Sequence, residues 1–576
     1  MFKNIKIKEN GIIWGIAFSV IPIIAFYLME AYEHNPFVEV RSMAQVFNII
    51  LFEIIAWIFY IVTGSFRWGI RIELLIAMIF GLANHYVMLF RTTPFVPWDI
   101  FSIRTAASVA SNYDFVLSSR VVVITIVFIV MMIAVHFIDY KMKMKFRFRV
   151  IPLAAVVCCL CVFVNMLQDE DFQTKNYLYP FLFTPAYMTQ VNGMAVTFAM
   201  DLEYVVVDKP SDYSKENAQK VLDEYADENK TRNTKLPNII VVMDESFSDL
   251  SVLGNFTTNT DYMPFIHQLQ KNADNTISGN LNVSVCGGNT ANTEFEFLTG
   301  NSMSFLPTGS IPYQQYIKGT TPSLASYLKT LGYQTYAQHP YYSTGWNRDK
   351  VYDWMGFDDM TFIDGYSSRN YVRNYISDES SFEQIIKTFE EKEEGSPAFI
   401  FNVTMQNHGG YSESYYNFSN SVVALGKNND SLNQYLSLIS VTDEAFRKLI
   451  DYFKGVDEDT IVVFFGDHQP NDAVTSSIVQ TQENDYNRYQ VPYIIWANFD
   501  IDSASNADTS VNYLAANVLK AAGVQTSDYQ NYLLSLEEKW PIVSAIRTEK
   551  GKNASDDDLK EYQKLQYYML FDREEK

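Results

Sequence analysis

The chain has 576 residues, enough for two or more domains, and its formal net charge is −22. The charge is unevenly divided, with a balance of +5 up to residue 168 and −27 after it. An acidic part of this size argues against a nucleic-acid partner, because binding to phosphate backbones depends on clustered Lys and Arg.

Five apolar runs occupy the first part of the chain, and each approaches the ~20 residues that a helix needs to cross a bilayer. They lie at residues 11–29, 45–63, 69–90, 121–139 and 150–167. Lys and Arg in short loops mark the cytoplasmic side, and they fall before the first run, between the second and third, and between the fourth and fifth. We therefore expect a five-helix transmembrane domain over 1–168 in the cell membrane, with the rest of the chain extracellular.

The remainder of the sequence is typical of a soluble domain. We expect a linker with short helices at 169–236, an extracellular catalytic domain at 237–545 and a charged tail at 546–576. Short continuous apolar runs separated by helical patterns predict an α/β sheet covered by helices on both faces. The predicted strands are 238–243, 398–405, 460–466 and 491–497.

Polar residues follow three of these predicted strands directly. The first strand leads into Glu245, the second into Asn407 and His408, and the third into Asp467 and His468. In open α/β sheets ligands gather beyond the carboxyl ends of the strands. We therefore expect these side chains to meet at one edge of the sheet.

The segment 286–300 (CGGNTANTEFEFLTG) adds a hydroxyl to this set. Its paired glycines permit close backbone approach, and Thr290 opens an apolar helical pattern. A hydroxyl at a helix N-terminus lies beside free amides that favour phosphate. The alternative is that Asn289 and Thr290 only cap the helix.

A threonine hydroxyl becomes a useful nucleophile when a base or a metal lowers its pKa. A divalent cation held by Glu245, Asp467 and His468 would do so and would also screen charge on an attacked phosphate. A set of three oxygen ligands and one nitrogen suits Mn²⁺ or Mg²⁺ better than a thiolate-rich zinc or iron site.

These motifs together resemble the lipoteichoic acid synthase family, a branch of the alkaline phosphatase and sulfatase superfamily, over nearly the whole chain. The matching segments are Glu245-Ser246, Gly288 to Phe295, Trp346 to Asp349, Asn407-His408 and Gly466 to His468. The resemblance implies a sulfatase-like fold with Thr290 as the nucleophile. It implies a set of Mn²⁺ ligands: Glu245, Thr290, Asp467 and His468. It implies phosphate contacts from Arg348 and His408, and a pocket lined by Trp346 and His339.

The same resemblance implies an activity. Family members take glycerol phosphate from phosphatidylglycerol through a threonine-linked intermediate and pass it to a cell-envelope polymer or glycolipid. Here Pro340 to Tyr342 follow His339, and Gly409-Gly410 follow His408, where the polymerising synthases carry other residues. The polysaccharide or glycolipid acceptor is therefore left open.

Three alternatives accompany this interpretation. A formylglycine sulfatase requires Cys-x-Pro-x-Arg or its serine equivalent, which the residues after Cys286 do not supply. A phosphoethanolamine transferase shares five spans and a threonine nucleophile, but its soluble domain usually carries disulfides, and Cys286 is the one cysteine after residue 168. A membrane-anchored binding or scaffold protein is the non-enzymatic alternative. For single residues, Arg348 as a solvated helix-start charge and His408 as a strand-end histidine remain open.

Overall fold

The structure, a computed structural model, describes residues 11–91, 94–102, 117–179, 185–226, 236–271, 273–479 and 482–573. The basic segment before the first span and parts of the predicted linker lie outside the described residues. Two compact units are present. The first comprises the described residues up to 100, from 117 to 207 and at 307–309, and the second comprises the other described residues.

The first unit is helical in its described part. Its helices are α1 (Gly11–Glu30), α2 (Pro36–Glu39), α3 (Ser42–Thr63), α4 (Phe66–Arg91), α5 (Ser119–Val135), α6 (Val150–Gln168), α7 (Glu170–Lys175), α8 (Pro185–Asn192) and α9 (Met194–Asp201). Four of them, α1, α3, α4 and α6, are long and apolar enough to cross a membrane, and α5 is apolar but has 17 residues. These apolar helices in the first part of the chain agree with the sequence, and the count of five spans stays a prediction.

The second unit contains the remaining described helices and strands. Its helices are α10 (Lys215–Glu224), α11 (Pro264–Leu269), α12 (Thr290–Thr299), α13 (Pro312–Gln315), α14 (Leu324–Thr330), α15 (Arg348–Trp354), α16 (Asp378–Glu391), α17 (Asp430–Lys454), α18 (Asp472–Thr475), α19 (Val511–Ala521), α20 (Asp528–Lys539) and α21 (Asp556–Tyr567). Its strands are β1 (Asn238–Asp244), β2 (Thr276–Asn282), β3 (Gln334–Gln338), β4 (Asp359–Thr361), β5 (Tyr371–Val372), β6 (Tyr375–Ile376), β7 (Ala398–Val403), β8 (Thr460–Gly466), β9 (Gln490–Ala497), β10 (Thr509–Ser510), β11 (Ile542–Val543) and β12 (Thr548–Glu549).

An eight-stranded sheet forms the centre of this unit, in the order β10-β2-β9-β8-β1-β7-β3-β4. The four predicted strands are confirmed and lie side by side as β9, β8, β1 and β7. Strand β9 runs antiparallel to both of its neighbours, whereas the other described pairs in this sheet are parallel. The sheet is therefore mixed, and the sequence did not indicate β2, β3, β4 or β10.

Helices cover both faces of the sheet, as the continuous apolar strands predict. Ile240 and Val242 of β1 belong to a buried cluster with side chains from α16 and α17. On the opposite face, the ring of Phe297 in α12 lies 5.8 Å from the ring of Phe401 and 5.2 Å from that of Phe465. Burying apolar side chains of this size stabilises the fold by about 1.5–3 kcal/mol each.

The register of the central strands brings polar residues to one edge. Asp244 of β1 lies beside Gly466 of β8, so Glu245 and Asp467 leave the sheet together. Gln338 of β3 lies beside Asn402 of β7, so His339 leaves at the same edge. The expected meeting of strand ends is confirmed, and a strand that the sequence did not indicate adds a histidine to it.

Candidate active site

Three buried side chains form a cluster at this edge. Glu245, Asp467 and His468 each offer a ligand atom, and these atoms all lie within 4.8 Å of one another. The three residues are at most 4% exposed. Backbone amides of Ser246 and His468 donate to Asp467 Oδ1 at 2.6 and 2.7 Å, which fixes that carboxylate.

Unsatisfied lone pairs in this cluster face each other. His468 Nδ1 lies 2.9 Å from the carbonyl oxygen of Gln469, and because a carbonyl only accepts, Nδ1 carries the proton and Nε2 presents a lone pair. That Nε2 lies 3.2 Å from Asp467 Oδ2, and neither atom has a hydrogen-bond partner among the described residues. Two buried acceptors at this distance repel unless a cation or a proton lies between them. The residues therefore fit a divalent cation.

The electrostatics of the cluster agree with this fit. Burial and the neighbouring Asp467 raise the pKa of Glu245 to about 8, and burial raises the pKa of Asp467 to about 7. Burial lowers the pKa of His468, which favours the neutral imidazole that binds metals. A cation beside these groups would favour both ionised carboxylates and would be held by all three side chains.

Thr290 is the first residue of α12, and its hydroxyl joins the same cluster. Gly287 and Asn289 adopt positive φ angles of 71° and 66°, which turn the chain sharply into the helix. The Asn289 side chain does not cap α12, whereas the hydroxyl of Thr290 donates to Glu245 Oε2 at 3.2 Å. The capping alternative is therefore wrong for the Asn289 side chain.

Arg348 is buried and held by a paired network, so its interpretation as a solvated helix-start charge is wrong. Its guanidinium forms an ion pair with Glu294, with Nε 3.0 Å from Oε1. Nη1 donates to His339 Nε2 at 3.2 Å, and the hydroxyl of Tyr352 donates to Glu294 Oε2 at 2.6 Å. Such a network fixes the orientation of a guanidinium that faces a pocket.

Two further predicted residues lie beside Arg348. His339 Nδ1 lies 2.9 Å from the carbonyl oxygen of Val403, and burial together with Arg348 lowers the pKa of His339 well below its ordinary value. Trp346 and Asn347 take left-handed backbone angles just before the helix that begins at Arg348. Two such residues in succession are costly and persist where the surroundings hold them.

His408 lies in the loop that follows β7. Its Nδ1 is 2.9 Å from the hydroxyl of Tyr375 in β6. Burial, followed by the positive charge of Arg373, lowers the pKa of His408 to about 3. His408 is therefore neutral, and it lies within a built site, not at a plain strand end.

One pocket collects the predicted residues. Seven of them line it, namely Glu245, Thr290, His339, Trp346, Arg348, His408 and His468, and the eighth, Asp467, lies buried against His468. The structure thus brings all eight side chains together, and their individual roles stay predictions.

Sequence reasoning gave no role to Glu294, Tyr375 or Arg373. A signal existed for Glu294, because it follows Thr290 by four residues and thus shares its helix face. Tyr375 and Arg373 come from a short hairpin far along the chain from the histidine loop. No local pattern marks such a long-range contact.

Comparisons with known proteins place the second unit in a family. The Sulfatase family model matches residues 237–524. A Rhizobium meliloti (strain 1021) protein named for cyclic beta-1,2-glucan modification is 29% identical over 457 residues, which cover 74% of this chain and 70% of that protein.

Two solved structures share the fold. The Streptococcus pyogenes phosphoglycerol transferase GacH in complex with sn-glycerol-1-phosphate is 23% identical, with a TM-score of 0.52 over 63% of this chain and 95% of its own. The lipooligosaccharide phosphoethanolamine transferase A (EptA) from Neisseria meningitidis, an integral membrane protein, is 13% identical, with a TM-score of 0.52 over 87% of this chain and 95% of its own. At these identities the likeness establishes the fold alone.

Proposed function

Because this chain belongs to the sulfatase family, we propose that it is a metal-dependent phosphotransferase of the cell membrane. It takes glycerol phosphate from phosphatidylglycerol, holds it on Thr290 and passes it to a polysaccharide or glycolipid of the cell envelope. The observation that carries this proposal is the Thr290 hydroxyl, 3.2 Å from Glu245, beside a cluster whose lone pairs fit a cation.

The names of related proteins support the choice of substrates. GacH is a phosphoglycerol transferase whose structure contains sn-glycerol-1-phosphate, and the Rhizobium relative is named for glucan modification. A lipid donor also explains the apolar N-terminal helices, which keep the enzyme at the surface where its donor lies. We propose five spans with the catalytic domain outside the cell.

The first step forms the threonine-linked intermediate. The Thr290 oxygen attacks the phosphorus of phosphatidylglycerol, and its proton leaves toward Glu245 Oε2. The bond from phosphorus to the diacylglycerol oxygen breaks, and that oxygen takes up a proton, so the step is balanced. Bound by Glu245, Thr290, Asp467 and His468, Mn²⁺ or Mg²⁺ would lower the pKa of the hydroxyl and screen the phosphate charge.

Other residues orient the phosphate. Arg348 is fixed by Glu294 and His339, so its guanidinium presents donors without reorganisation during the reaction. His408, neutral and held by Tyr375, contacts the same group. In the second step an acceptor hydroxyl attacks phosphorus, the bond to Thr290 breaks, and the threonine hydroxyl is restored.

Mass spectrometry of the trapped enzyme tests this proposal. The full chain is incubated with Mn²⁺ and phosphatidylglycerol without an acceptor, and peptides containing residue 290 are searched for a glycerol phosphate adduct. Parallel reactions compare diacylglycerol release from fluorescent phosphatidylglycerol and phosphatidylethanolamine. We expect the adduct and release from phosphatidylglycerol. Release of diacylglycerol from phosphatidylethanolamine alone would identify the alternative transferase, and the absence of both an adduct and release from either lipid would favour a binding protein.

A further inference from the structure

Arg373 is a buried cation directly behind the pocket. It occupies the turn between β5 and β6 with a φ angle of 55°, a left-handed conformation that is uncommon for a side chain of this size. Arg373 is 3% exposed to solvent. Strained backbone of this kind persists where surrounding contacts hold it, and it clusters at functional sites.

The guanidinium of Arg373 holds the loop that carries His408. Nη2 donates to the carbonyl oxygens of Gln406 and His408 at 2.9 and 2.5 Å, and Nη1 donates to that of Gly410 at 3.2 Å. One side chain therefore binds three carbonyls across five consecutive residues. A planar fork with several donors suits this task, and an ammonium group does not.

Tyrosine side chains enclose the same guanidinium. Its carbon lies 5.3 Å from the ring centre of Tyr411, 5.7 Å from that of Tyr415 and 5.8 Å from that of Tyr375. The hydroxyl of Tyr415 also donates to the carbonyl of Gly410 at 3.1 Å. The loop is thus wound around the arginine.

The hairpin holds His408 in two ways. Arg373 binds the His408 carbonyl, and Tyr375, two residues later, bonds to the His408 ring at Nδ1. The hairpin therefore fixes both the backbone and the imidazole ring of His408.

The charge of Arg373 has no carboxylate partner among the described residues, because its contacts are carbonyl oxygens and tyrosines. Arg348, in contrast, is neutralised by Glu294. A buried charge that is not neutralised attracts an anion at short range more strongly than a paired one.

We propose that Arg373 is a positioning residue that holds His408 against the phosphate and keeps an unneutralised positive charge behind it. The proposal rests on the proposed function only in taking His408 as a phosphate contact. Inorganic phosphate serves as the probe, so that binding and lipid turnover can be judged separately.

The test compares Arg373→Lys, which keeps the charge and loses the fork, with Arg373→Gln, which keeps a donor and loses the charge. Arg369→Gln is the control, because exposed Arg369 also donates to two carbonyls, those of Tyr366 and Asp364. Each variant is made in the full chain and is measured with Mn²⁺ present. Thermal unfolding checks that each variant is folded, hydrogen exchange follows residues 405–418, and calorimetry measures phosphate affinity.

We expect faster exchange over 405–418 in both Arg373 variants and not in the control. Phosphate affinity should fall about 10-fold in Arg373→Gln and much less in Arg373→Lys, because only the first loses the charge. Turnover of phosphatidylglycerol should fall about 100-fold in both, since the loop is displaced. Unchanged exchange, or equal phosphate affinity in the two variants, would overturn the proposal.

If an Arg373 variant does not fold, Tyr375→Phe provides a second test. It removes the hydroxyl that contacts the His408 ring, and we expect kcat to fall about 10-fold with phosphate affinity unchanged. An unchanged kcat would overturn the role of the hairpin. A wild-type chain that binds phosphate but leaves phosphatidylglycerol intact would reject the proposed function, while exchange and phosphate affinity would still test Arg373.

Discussion

Two buried polar clusters line the same pocket and are completed in different ways. The metal cluster, Glu245, Asp467 and His468, leaves Asp467 Oδ2 and His468 Nε2 without hydrogen-bond partners among the described residues. The arginine cluster, Arg348 with Glu294, His339 and Tyr352, pairs its charge and links its polar groups by hydrogen bonds. Both clusters are nearly inaccessible to solvent.

The contrast separates two uses of buried polarity. An unsatisfied buried acceptor costs about 1–3 kcal/mol, so two of them face to face would be stabilised by a bound cation or by a shared proton. A paired guanidinium is already compensated by its carboxylate, and it offers fixed donors to a ligand. The first cluster thus fits a cation, whereas the second is completed by the chain itself.

Thr290→Ala gives the largest expected effect, because it removes the hydroxyl and leaves both clusters in place. We expect turnover of fluorescent phosphatidylglycerol to fall at least about 1,000-fold, with bound Mn²⁺ and melting temperature near those of the wild type. Thr299→Ala is the control, since Thr299 is equally buried at the other end of α12. Turnover in Thr290→Ala equal to that of this control would reject the mechanism.

Asp467→Asn tests the metal cluster directly. Asparagine keeps an oxygen for the two backbone amides but loses the charge, so we expect bound Mn²⁺, measured by elemental analysis, to fall from about one per chain to near zero. The rise in melting temperature on adding Mn²⁺, worth about 2.7 kcal/mol at 100 times Kd in the wild type, should disappear. Asp443→Asn is the matched control, because buried Asp443 also accepts hydrogen bonds from two backbone amides. Loss of metal in both variants would contradict a specific site.

The two clusters also differ in how much of each could be predicted from the sequence. The predicted metal ligands follow strands whose apolar runs are continuous, so position along the chain was enough to place them together. His339 follows β3, which lies between β7 and β4. The sequence of β3, QTYAQ, is largely polar, so it shows no apolar run that would predict a strand. Glu294 lies within a recognised motif, yet its pairing with Arg348 joins residues 54 apart. Such contacts depend on the tertiary fold, which a local pattern does not reveal.

Glu294→Gln breaks the arginine cluster and leaves the metal cluster intact. Removing one partner of a buried ion pair leaves the other charge uncompensated, so we expect a loss of about 3 kcal/mol in the free energy of unfolding. Bound Mn²⁺ should remain near one per chain, and KM should rise because Arg348 is no longer held. Glu296→Gln is the control on the same helix, since Glu296 is buried and bonds to Ser284 and Ser302. A loss of Mn²⁺ specific to Glu294→Gln would show that the clusters are not independent.

His267→Gln gives the smallest effect, because it disrupts a paired group whose residues do not line the pocket. Burial lowers the pKa of His267, but hydrogen bonds and charge from Asp249 and Asp261 outweigh it and raise the pKa to about 9. A raised folded-state pKa contributes stability that is complete below the ordinary value of about 6.5 and is lost as pH rises through about 9. The side chain is 24% exposed, so solvent screening limits the difference in unfolding free energy to about 1 kcal/mol near pH 6. Urea unfolding across this range should show the difference vanishing near pH 10, about one unit above that pKa, with turnover unchanged. A difference that persists at the alkaline end would mean that His267 acts through packing and not through its charge.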